Sequence, residues 1–401
     1  MPGYELYGKE EREAVLAWFD SNNGVMCAHG FEGIRRGVFK VREFERAIAQ
    51  TAGAMHAQAV SSGSAALLVA LRALGVGRGD EVITQAFTFV ATVEAILAAG
   101  ATPVLTEVDH SLTMDPADFA ARITPRTKVV IPVHMAGAAA DMEAILQIAR
   151  SRHIAVLEDA CQAFGGTYHG KFLGTLGDVG AYSFDFAKNL TTGEGGMVVT
   201  NDQALYQRAR AFHDHGHAYD PHEPRGRDTR SSSGFNFRMT EVQAVLGLTQ
   251  LKKLPQILSR QRANKAALKS GLEPCGMAWR HLHDPDGDIA DTLIFFLEST
   301  SQAQTFAAQL VQRGLATKNL PDALNWHFAG TWHHLVGEVP SLAHPETRWP
   351  RTAELLHRAI ALPVQVMMSS EALDRLIGSV TTLAHDVIGV GWVSARPGEA
   401  R

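Results

Sequence analysis

Lys188 lies in a sequence context that could make its amine reactive. It follows the apolar run GAYSF (180–184) and precedes the glycine-rich stretch NLTTGEGG (189–196). Phenylalanines on one side and small residues on the other would desolvate the amine and favour its neutral, nucleophilic form. An ordinary surface lysine in a loop is the alternative interpretation.

Asp159 ends another apolar run, in the segment LEDACQA (157–163), and Gln162 follows three residues later. A buried aspartate is costly unless it is paired with a cation, and a protonated ring nitrogen of a cofactor is one such cation. A helix cap would use the same residue types.

The segment SSGSAAL (61–67) is a candidate phosphate site. Ser61 and Ser62 close a predicted strand, and Gly63 and Ser64 open a predicted helix. Free backbone N–H groups at a helix N-terminus bind phosphate, and the Ser64 hydroxyl would assist them. A serine N-cap without a ligand has the same pattern.

The surrounding elements are predicted to form an α/β fold with a mostly parallel sheet. Short β-branched runs alternate with amphipathic helical segments between residues 56 and 200. Ligands bind beyond the carboxyl ends of parallel strands, where the three motifs are placed. The predicted strands are AQAVSS, EVITQ, TPVLTEV, KVVIPV and IAVLED.

The remainder of the chain predicts a second, smaller domain. Residues 240–272 are predicted to form one long helix kinked at Pro255. We therefore place a large domain with an N-terminal helical segment at 1–252, and a small α+β domain at 253–401.

Composition excludes several classes of protein. The 401 residues carry a net charge of −5 with acidic and basic residues intermixed, which argues against nucleic-acid binding. Three scattered cysteines suggest no disulfide framework. The N-terminus has no signal-peptide pattern and no stretch is long and apolar enough to span a membrane, so we expect a cytoplasmic protein. The run HDHGH (213–217) lacks matching ligands elsewhere, and no metal site is predicted.

Taken in order, the three motifs resemble the pyridoxal 5′-phosphate (PLP) enzymes of fold type I, the aspartate aminotransferase-like fold. Within that fold the chain resembles the DegT/StrS sugar aminotransferases over about residues 5–260, and more loosely beyond. The segments that carry the resemblance are SSGSAALLVALRALGVGRGDEVI, FTFVATVEAILAAGATPVLTEVD, ITPRTKVVIPVHMAGAAADMEAI, LEDACQAFGG, LGDVGAYSFDFAKNLTTGEGGMVVTND and GFNFRMTEVQAVLGLTQL.

This resemblance implies a role for each candidate residue. Lys188 would hold PLP covalently and move the proton during transamination, and Asp159 would keep the ring nitrogen protonated. Gln162 would bind the ring oxygen and Phe89 would stack on the ring. The phosphate would be bound by Gly63, Ser64, Ala65 and Ser183, and by Asn236 of a second subunit, which makes the enzyme a homodimer with shared sites.

The implied activity is transfer of an amino group from glutamate to a keto or aldehyde sugar. The chain departs from the pattern SFHPxK of many family members, because SFDFAK places Asp185 and Phe186 at the His and Pro positions. Two alternatives stay open: a PLP-dependent sugar dehydratase, although relatives of that kind carry histidine in place of the lysine, and a non-catalytic PLP-binding regulator.

A narrower resemblance concerns the substrate. The segments MPGYELYG, FHDHGH, DPDGD and NWH resemble the branch that makes 8-amino-3,8-dideoxy-manno-octulosonate, a lipopolysaccharide sugar acid, from an 8-oxo precursor. A single arginine would suffice for its carboxylate, and Arg238 is the candidate, with a structural ion pair as the alternative. A nucleotide-linked 4-keto-hexose is the alternative substrate.

Overall fold

The computed structural model describes residues 3–220, 222–339 and 342–389. Its α-helices are α1 Lys9–Asn22, α2 Lys40–Ala52, α3 Gly63–Ala73, α4 Ala91–Ala98, α5 Pro116–Ala121, α6 Met142–Ser151, α7 Gln203–Phe212, α8 Glu241–Leu251, α9 Leu254–Leu272, α10 Thr300–Gln312, α11 Leu324–His327, α12 Pro345–Arg348, α13 Pro350–Arg358 and α14 Ser370–Ile388. The strands are β1 His56–Val60, β2 Glu81–Gln85, β3 Thr102–Thr106, β4 Thr127–Ile131, β5 Ala155–Asp159, β6 Thr167–Tyr168, β7 Lys171–Phe172, β8 Val179–Ser183, β9 Gly196–Thr200, β10 Ala278–Trp279, β11 Thr292–Phe296 and β12 Ala359–Pro363.

Within the described ranges, the main sheet has seven strands in the order β1-β9-β8-β5-β4-β2-β3. The pairs from β8 to β3 are parallel, and β9 runs antiparallel to both of its neighbours. The predicted α/β architecture with a mostly parallel sheet is confirmed. The carboxyl ends of β1, β2, β4, β5 and β8 consequently lie along one edge.

Helices cover both faces of this sheet, which explains the apolar character of its central strands. The alanine- and leucine-rich helix α3 is buried almost all round, against β8, β9, α4 and α7. On the other face, Phe44 and Ile48 of α2 are fully buried and α2 packs on β1 and α8. The edge at the strand ends is thereby held between two packed layers.

Residues 240–272 form two helices, so the prediction of one kinked helix was wrong. α8 ends at Leu251 and α9 starts at Leu254, and Pro255 lies in the first turn of α9. Proline is well tolerated there because the first N–H groups of a helix have no intrahelical acceptor. The proline therefore begins a helix at this point.

The C-terminal part contains a second sheet, β10-β11-β12, which is antiparallel and packs with α9, α10 and α14. A connecting segment returns to the main sheet, where the N–H of Thr88 donates to the carbonyl of His327 at 2.9 Å and that of Val90 to the carbonyl of Trp326 at 2.9 Å. The proposed division into domains at 1–252 and 253–401 stays a prediction. None of the described helices is long and apolar enough to cross a lipid bilayer.

Candidate active site

A cavity of about 320 Å³ opens at the carboxyl edge of the main sheet. Most of the residues singled out from the sequence line it, although they come from separate parts of the chain. Those brought together are Gly63, Ser64, Phe89, Asp159, Gln162, Ser183 and Lys188.

The N-terminus of α3 forms one end of the cavity. Ser62 caps the helix by accepting the N–H of Ala65 at 3.1 Å, whereas the N–H groups of Gly63 and Ser64 have no acceptor in the described structure. A Cβ on Gly63 would lie 2.7 Å from Cβ of Ser183, so only glycine lets the helix approach β8 this closely. Two free donors and the helix dipole make this end an anion site.

Asp159 is buried at the end of β5, and its carboxylate is oriented by two donors. Oγ1 of Thr92 donates to Oδ2 at 2.8 Å, and the N–H of Cys161 donates to Oδ1 at 3.1 Å. Thr92 is in turn hydrogen-bonded to Thr88 at 2.8 Å. The carboxylate is therefore fixed without a cationic partner among the residues that the structure describes, which leaves it available to a cation in the cavity.

Gln162 and Phe89 line the cavity with groups that can contact a flat ring. Oε1 of Gln162 accepts the N–H of Ala136 at 3.1 Å, which fixes the amide and leaves its Nε2 to donate elsewhere. The Phe89 side chain is 41% exposed and stacks with Trp326 at a centroid distance of 6.2 Å. A large aromatic surface left open in a cavity is suited to stacking with a ligand.

Lys188 lies in the turn after β8. Its N–H donates to the carbonyl of Asp185 at 2.9 Å, and its own carbonyl accepts the N–H of Gly3 at 3.0 Å. Phe186 points away from the cavity and stacks on Tyr4 at 5.1 Å. Of the two residues that depart from the family pattern, only Asp185 lines the cavity.

The opposite wall comes from the C-terminal part of the chain. Nδ1 of His327 donates to the carbonyl of Ala323 at 2.8 Å, and burial lowers the pKa of this histidine, so the neutral ring presents Nε2 as an acceptor. Asn319 contributes a buried amide nitrogen that has no hydrogen-bond partner in the described chain.

Three of the candidate residues do not line this cavity. Ala65 lies one residue deeper in α3, and its N–H is already bound to Ser62. Asn236 is exposed and forms an isolated bridge with Asp214. Arg238 forms an ion pair with the same Asp214 and lines a separate cavity of about 330 Å³.

Asp214 is the centre of a polar cluster that holds Arg238. Burial acts to raise its pKa, but hydrogen bonds from Arg225 and Tyr219 and the charges of both arginines outweigh burial and leave the pKa well below its usual range. The structural ion pair considered from the sequence is thus present. A single chain does not bring Arg238 to the cavity of Lys188.

Sequence analysis missed the residues that orient the candidate groups. Thr92 supports Asp159 from 67 positions away, and Asn319 and His327 join the cavity from the C-terminal part. The apolar helix pattern around Thr92 gave no signal. His327 belongs to the segment NWH, which carries part of the substrate resemblance, but no role in the site was predicted for it.

Comparison with known proteins gives a consistent result. The sequence model of the DegT/DnrJ/EryC1/StrS aminotransferase family matches residues 32–381. The chain is 35% identical over 382 residues to the spore coat polysaccharide biosynthesis protein SpsC of Bacillus subtilis, covering 94% of each chain.

Solved structures are similar along nearly the whole chain. An aminotransferase from Psychrobacter cryohalolentis is 28% identical with a TM-score of 0.84, over 95% of this chain and 98% of that one. A Streptococcus pneumoniae protein described as a candidate sugar aminotransferase, in its PMP-form, is 25% identical with a TM-score of 0.82, over 96% of this chain and 97% of that one. That protein has also been solved in a PLP-form.

Proposed function

Because this chain belongs to the DegT/DnrJ/EryC1/StrS aminotransferase family, we propose that it moves the amino group of glutamate to a keto or aldehyde carbon of a sugar. It is a PLP-dependent sugar aminotransferase. Similarity to a spore coat polysaccharide protein supports a product used in a cell-surface polysaccharide. Lipopolysaccharide as that polysaccharide rests on the narrower resemblance in sequence. We place the enzyme in the cytoplasm.

The observation that carries the proposal is the shared cavity of Lys188 and Asp159. When bound, PLP supplies an aldehyde that takes up the amino group and a ring that delocalises an electron pair. The residues present fit this cofactor. The amine of Lys188 can bind it covalently, and the oriented Asp159 carboxylate lacks a cation that a protonated ring nitrogen would provide.

Each remaining residue has a part in holding the ring or moving protons. Nζ of Lys188 would carry the proton removed from the amino-bearing carbon of the donor. The carboxylate of Asp159 would accept the hydrogen bond of a protonated ring nitrogen. Nε2 of Gln162 would donate to the ring oxygen, and Phe89 would exclude water from one ring face.

The phosphate is assigned to the N-terminus of α3. Gly63 and Ser64 supply their free N–H groups, and Oγ of Ser183 faces the same end of the cavity. Ala65 would bind the phosphate only if its N–H, which donates to Oγ of Ser62, were shared between that oxygen and the phosphate. Asn236 lies outside the cavity of its own chain, and on the family resemblance we assign it to the site of a partner subunit in a homodimer.

For the sugar we propose 8-oxo-3-deoxy-manno-octulosonate, on the narrower resemblance in sequence. Its carboxylate would be bound by Arg238 across the subunit boundary, because Arg238 lies outside its own chain's cavity. Asp214 holds this guanidinium in place and takes up part of its charge. A nucleotide-linked 4-keto-hexose is the competing substrate.

An absorbance and mass-spectrometric assay with glutamate tests the activity itself. The purified protein should show the PLP absorbance band, and addition of glutamate should bleach that band with release of one 2-oxoglutarate per site. A band that glutamate leaves unchanged would contradict transamination with this donor. It would favour the dehydratase or the regulatory alternative.

A comparison of acceptors tests the sugar. We expect the glutamate-loaded enzyme to turn over 8-oxo-3-deoxy-manno-octulosonate at least about tenfold faster, in kcat/KM, than nucleotide-linked 4-keto-hexoses, a ratio that corresponds to the carboxylate contact of one arginine. The measurement is the initial rate of 2-oxoglutarate release with excess glutamate, as a function of the concentration of each acceptor. Turnover restricted to the nucleotide sugars would contradict the assignment of the octulosonate as substrate. It would leave the assignment of aminotransferase activity unaffected.

A complementation experiment tests the shared sites. Lys188→Ala removes the reactive amine, and Asn236→Asp places a carboxylate against the phosphate, so each variant should be inactive alone. Mixed and re-equilibrated subunits should recover about a quarter of wild-type activity, because half the dimers are hybrids with one intact site each. Subunit exchange is verified by native mass spectrometry of differently tagged chains. Exchange without recovery would show that Asn236 does not act across the dimer.

A further inference from the structure

The cavity that contains Lys188 is lined by more acidic than basic side chains, which is unusual for an enzyme that acts on acidic molecules. Its acidic side chains are Asp159, Asp185 and Glu194, and Lys188 is its cationic one; no arginine occurs among the described lining residues. With Lys188 and Asp159 assigned to the cofactor, the carboxylates of Asp185 and Glu194 are left facing the substrate space. An anionic group placed between them would be repelled.

Asp185 presents a fixed carboxylate to this space. Its Oδ1 accepts the N–H of Ala187 at 3.0 Å, which sets the orientation of the side chain and leaves Oδ2 as an acceptor. Burial raises the pKa of Glu194, the charge of nearby Asp185 raises it further, and Lys188 opposes both.

Asn319 supplies a donor from the opposite wall. Its Nδ2 is buried and has no acceptor anywhere in the part of the chain that the structure describes. The residue has a left-handed backbone with φ of 67°, and its carbonyl accepts the N–H of Ala323 at 2.9 Å. An amide that is buried, held in place and unpaired indicates a ligand that accepts its hydrogen bond.

The backbone around Asn319 is anchored on both sides. The preceding Lys318 donates its N–H to Ala361 at 2.9 Å, and its ammonium forms a buried ion pair with Asp291. The position of the Asn319 backbone relative to the cavity is therefore fixed. An amide donor and carboxylate acceptors that line one cavity match hydroxyl groups, since each hydroxyl both donates and accepts.

We propose that Asn319, Asp185 and Glu194 bind hydroxyl groups of the sugar acceptor, and that this cavity takes an uncharged polyhydroxylated part of it. The inference rests on the proposed aminotransferase function and refines its substrate. The anionic group of the acceptor lies outside this cavity, on the side where we propose that Arg238 of a partner subunit binds it. Among sugar acceptors, the cavity thus selects for hydroxyls and against phosphate at the positions that contact Asp185 and Glu194.

Short aldehydes provide probes of the cavity alone. The enzyme is first loaded with glutamate, which checks the proposed function through its absorbance change. The loaded enzyme is then reacted with D-erythrose, with butanal, which lacks hydroxyls, and with D-erythrose 4-phosphate, which adds charge. We expect D-erythrose to react at least about tenfold faster than either of the others.

Substitution of Asn319 should remove this preference. Asn319→Gly keeps a residue that tolerates the left-handed backbone, and should lower the rate with D-erythrose about tenfold more than the rate with butanal. Asn319→Asp replaces the donor by an acceptor of the same shape and should lower the rate with D-erythrose further. Asn23→Gly is the matched control, because Asn23 also has a positive φ, of 53°, and lies outside the cavity.

Asp185→Asn tests the exclusion of charge. The substitution keeps the oxygen that accepts the N–H of Ala187 and removes the negative charge, so the reaction with D-erythrose 4-phosphate should gain at least about threefold relative to D-erythrose. A wild-type enzyme that reacts with D-erythrose no faster than with butanal would overturn the inference. So would equal losses of Asn319→Gly in the glutamate and aldehyde half-reactions, because that result assigns the amide to the cofactor. A protein that glutamate does not convert at all would instead contradict the proposed function.

Discussion

Lys188→Ala should abolish transamination while the protein still folds. The amine is proposed both to bind the cofactor covalently and to carry the proton, and the loss of proton transfer alone typically lowers the rate by about 10²–10⁴-fold. Because both roles are lost together, we expect turnover with glutamate to fall by at least about 10⁴-fold. The measurement is the rate of 2-oxoglutarate release under saturating PLP.

The control for this variant is Lys252→Ala, which removes an exposed lysine distant from the cavity and should leave turnover intact. Circular dichroism and thermal unfolding report whether Lys188→Ala keeps its fold. A small primary amine added to the variant should restore part of the rate, since the missing group is a proton carrier. Retention of more than about a tenth of wild-type turnover would assign the chemistry to another residue.

The main sheet was predictable because each of the strands β2 to β5 contains a short run of apolar and β-branched residues. The runs EVITQ, TPVLTEV, KVVIPV and IAVLED overlap β2, β3, β4 and β5. The candidate site residues were found among the polar residues that directly follow strands. The rule that parallel strands present their carboxyl ends at one edge was enough to bring Asp159 and Lys188 together. The resemblance to the aminotransferase family predicted on that basis is confirmed.

The supporting groups could not be predicted because they depend on tertiary packing. Thr92 is part of an apolar helix, and nothing local shows that its hydroxyl reaches Asp159. Asn319 and His327 reach the cavity only because the chain bridges back from the second sheet, at Phe87 and Phe328. Long-range contacts of this kind have no sequence period, so a search for patterns passes over them.

Residues 252–253 separate α8 from α9, where one continuous helix had been predicted. The apolar pattern continues across α8 and α9, and it predicts a kink at Pro255 inside one helix. The proline instead lies in the first turn of α9, where its missing N–H is harmless. The same residue type permits both outcomes; here α8 ends at Leu251, whose carbonyl would need the N–H that Pro255 lacks.

Asp159→Asn should slow catalysis strongly without disturbing the shape of the site. The oxygen of the new amide can accept the N–H of Cys161, and its NH₂ can donate to Oγ1 of Thr92, which can then donate to Thr88. The hydrogen-bond network therefore survives and only the charge is lost. Loss of one group that stabilises charge in the transition state typically costs about 10²–10³-fold in rate, and we expect the glutamate half-reaction to slow by that factor.

The charge can be restored from the side of the cofactor, which separates this role from a structural one. A PLP analogue methylated at the ring nitrogen is permanently cationic, and it should recover part of the lost rate in Asp159→Asn, because the proton that Asp159 holds is no longer needed. Asp178→Asn is the control, since Asp178 accepts the N–H of Val156 near the opposite end of β5 and lies outside the cavity. A half-reaction that Asp159→Asn leaves at the wild-type rate would show that the ring proton is held by another group. Slow catalysis that the methylated analogue fails to improve would assign Asp159 to positioning the cofactor, since in that case supplying the missing charge does not replace the carboxylate.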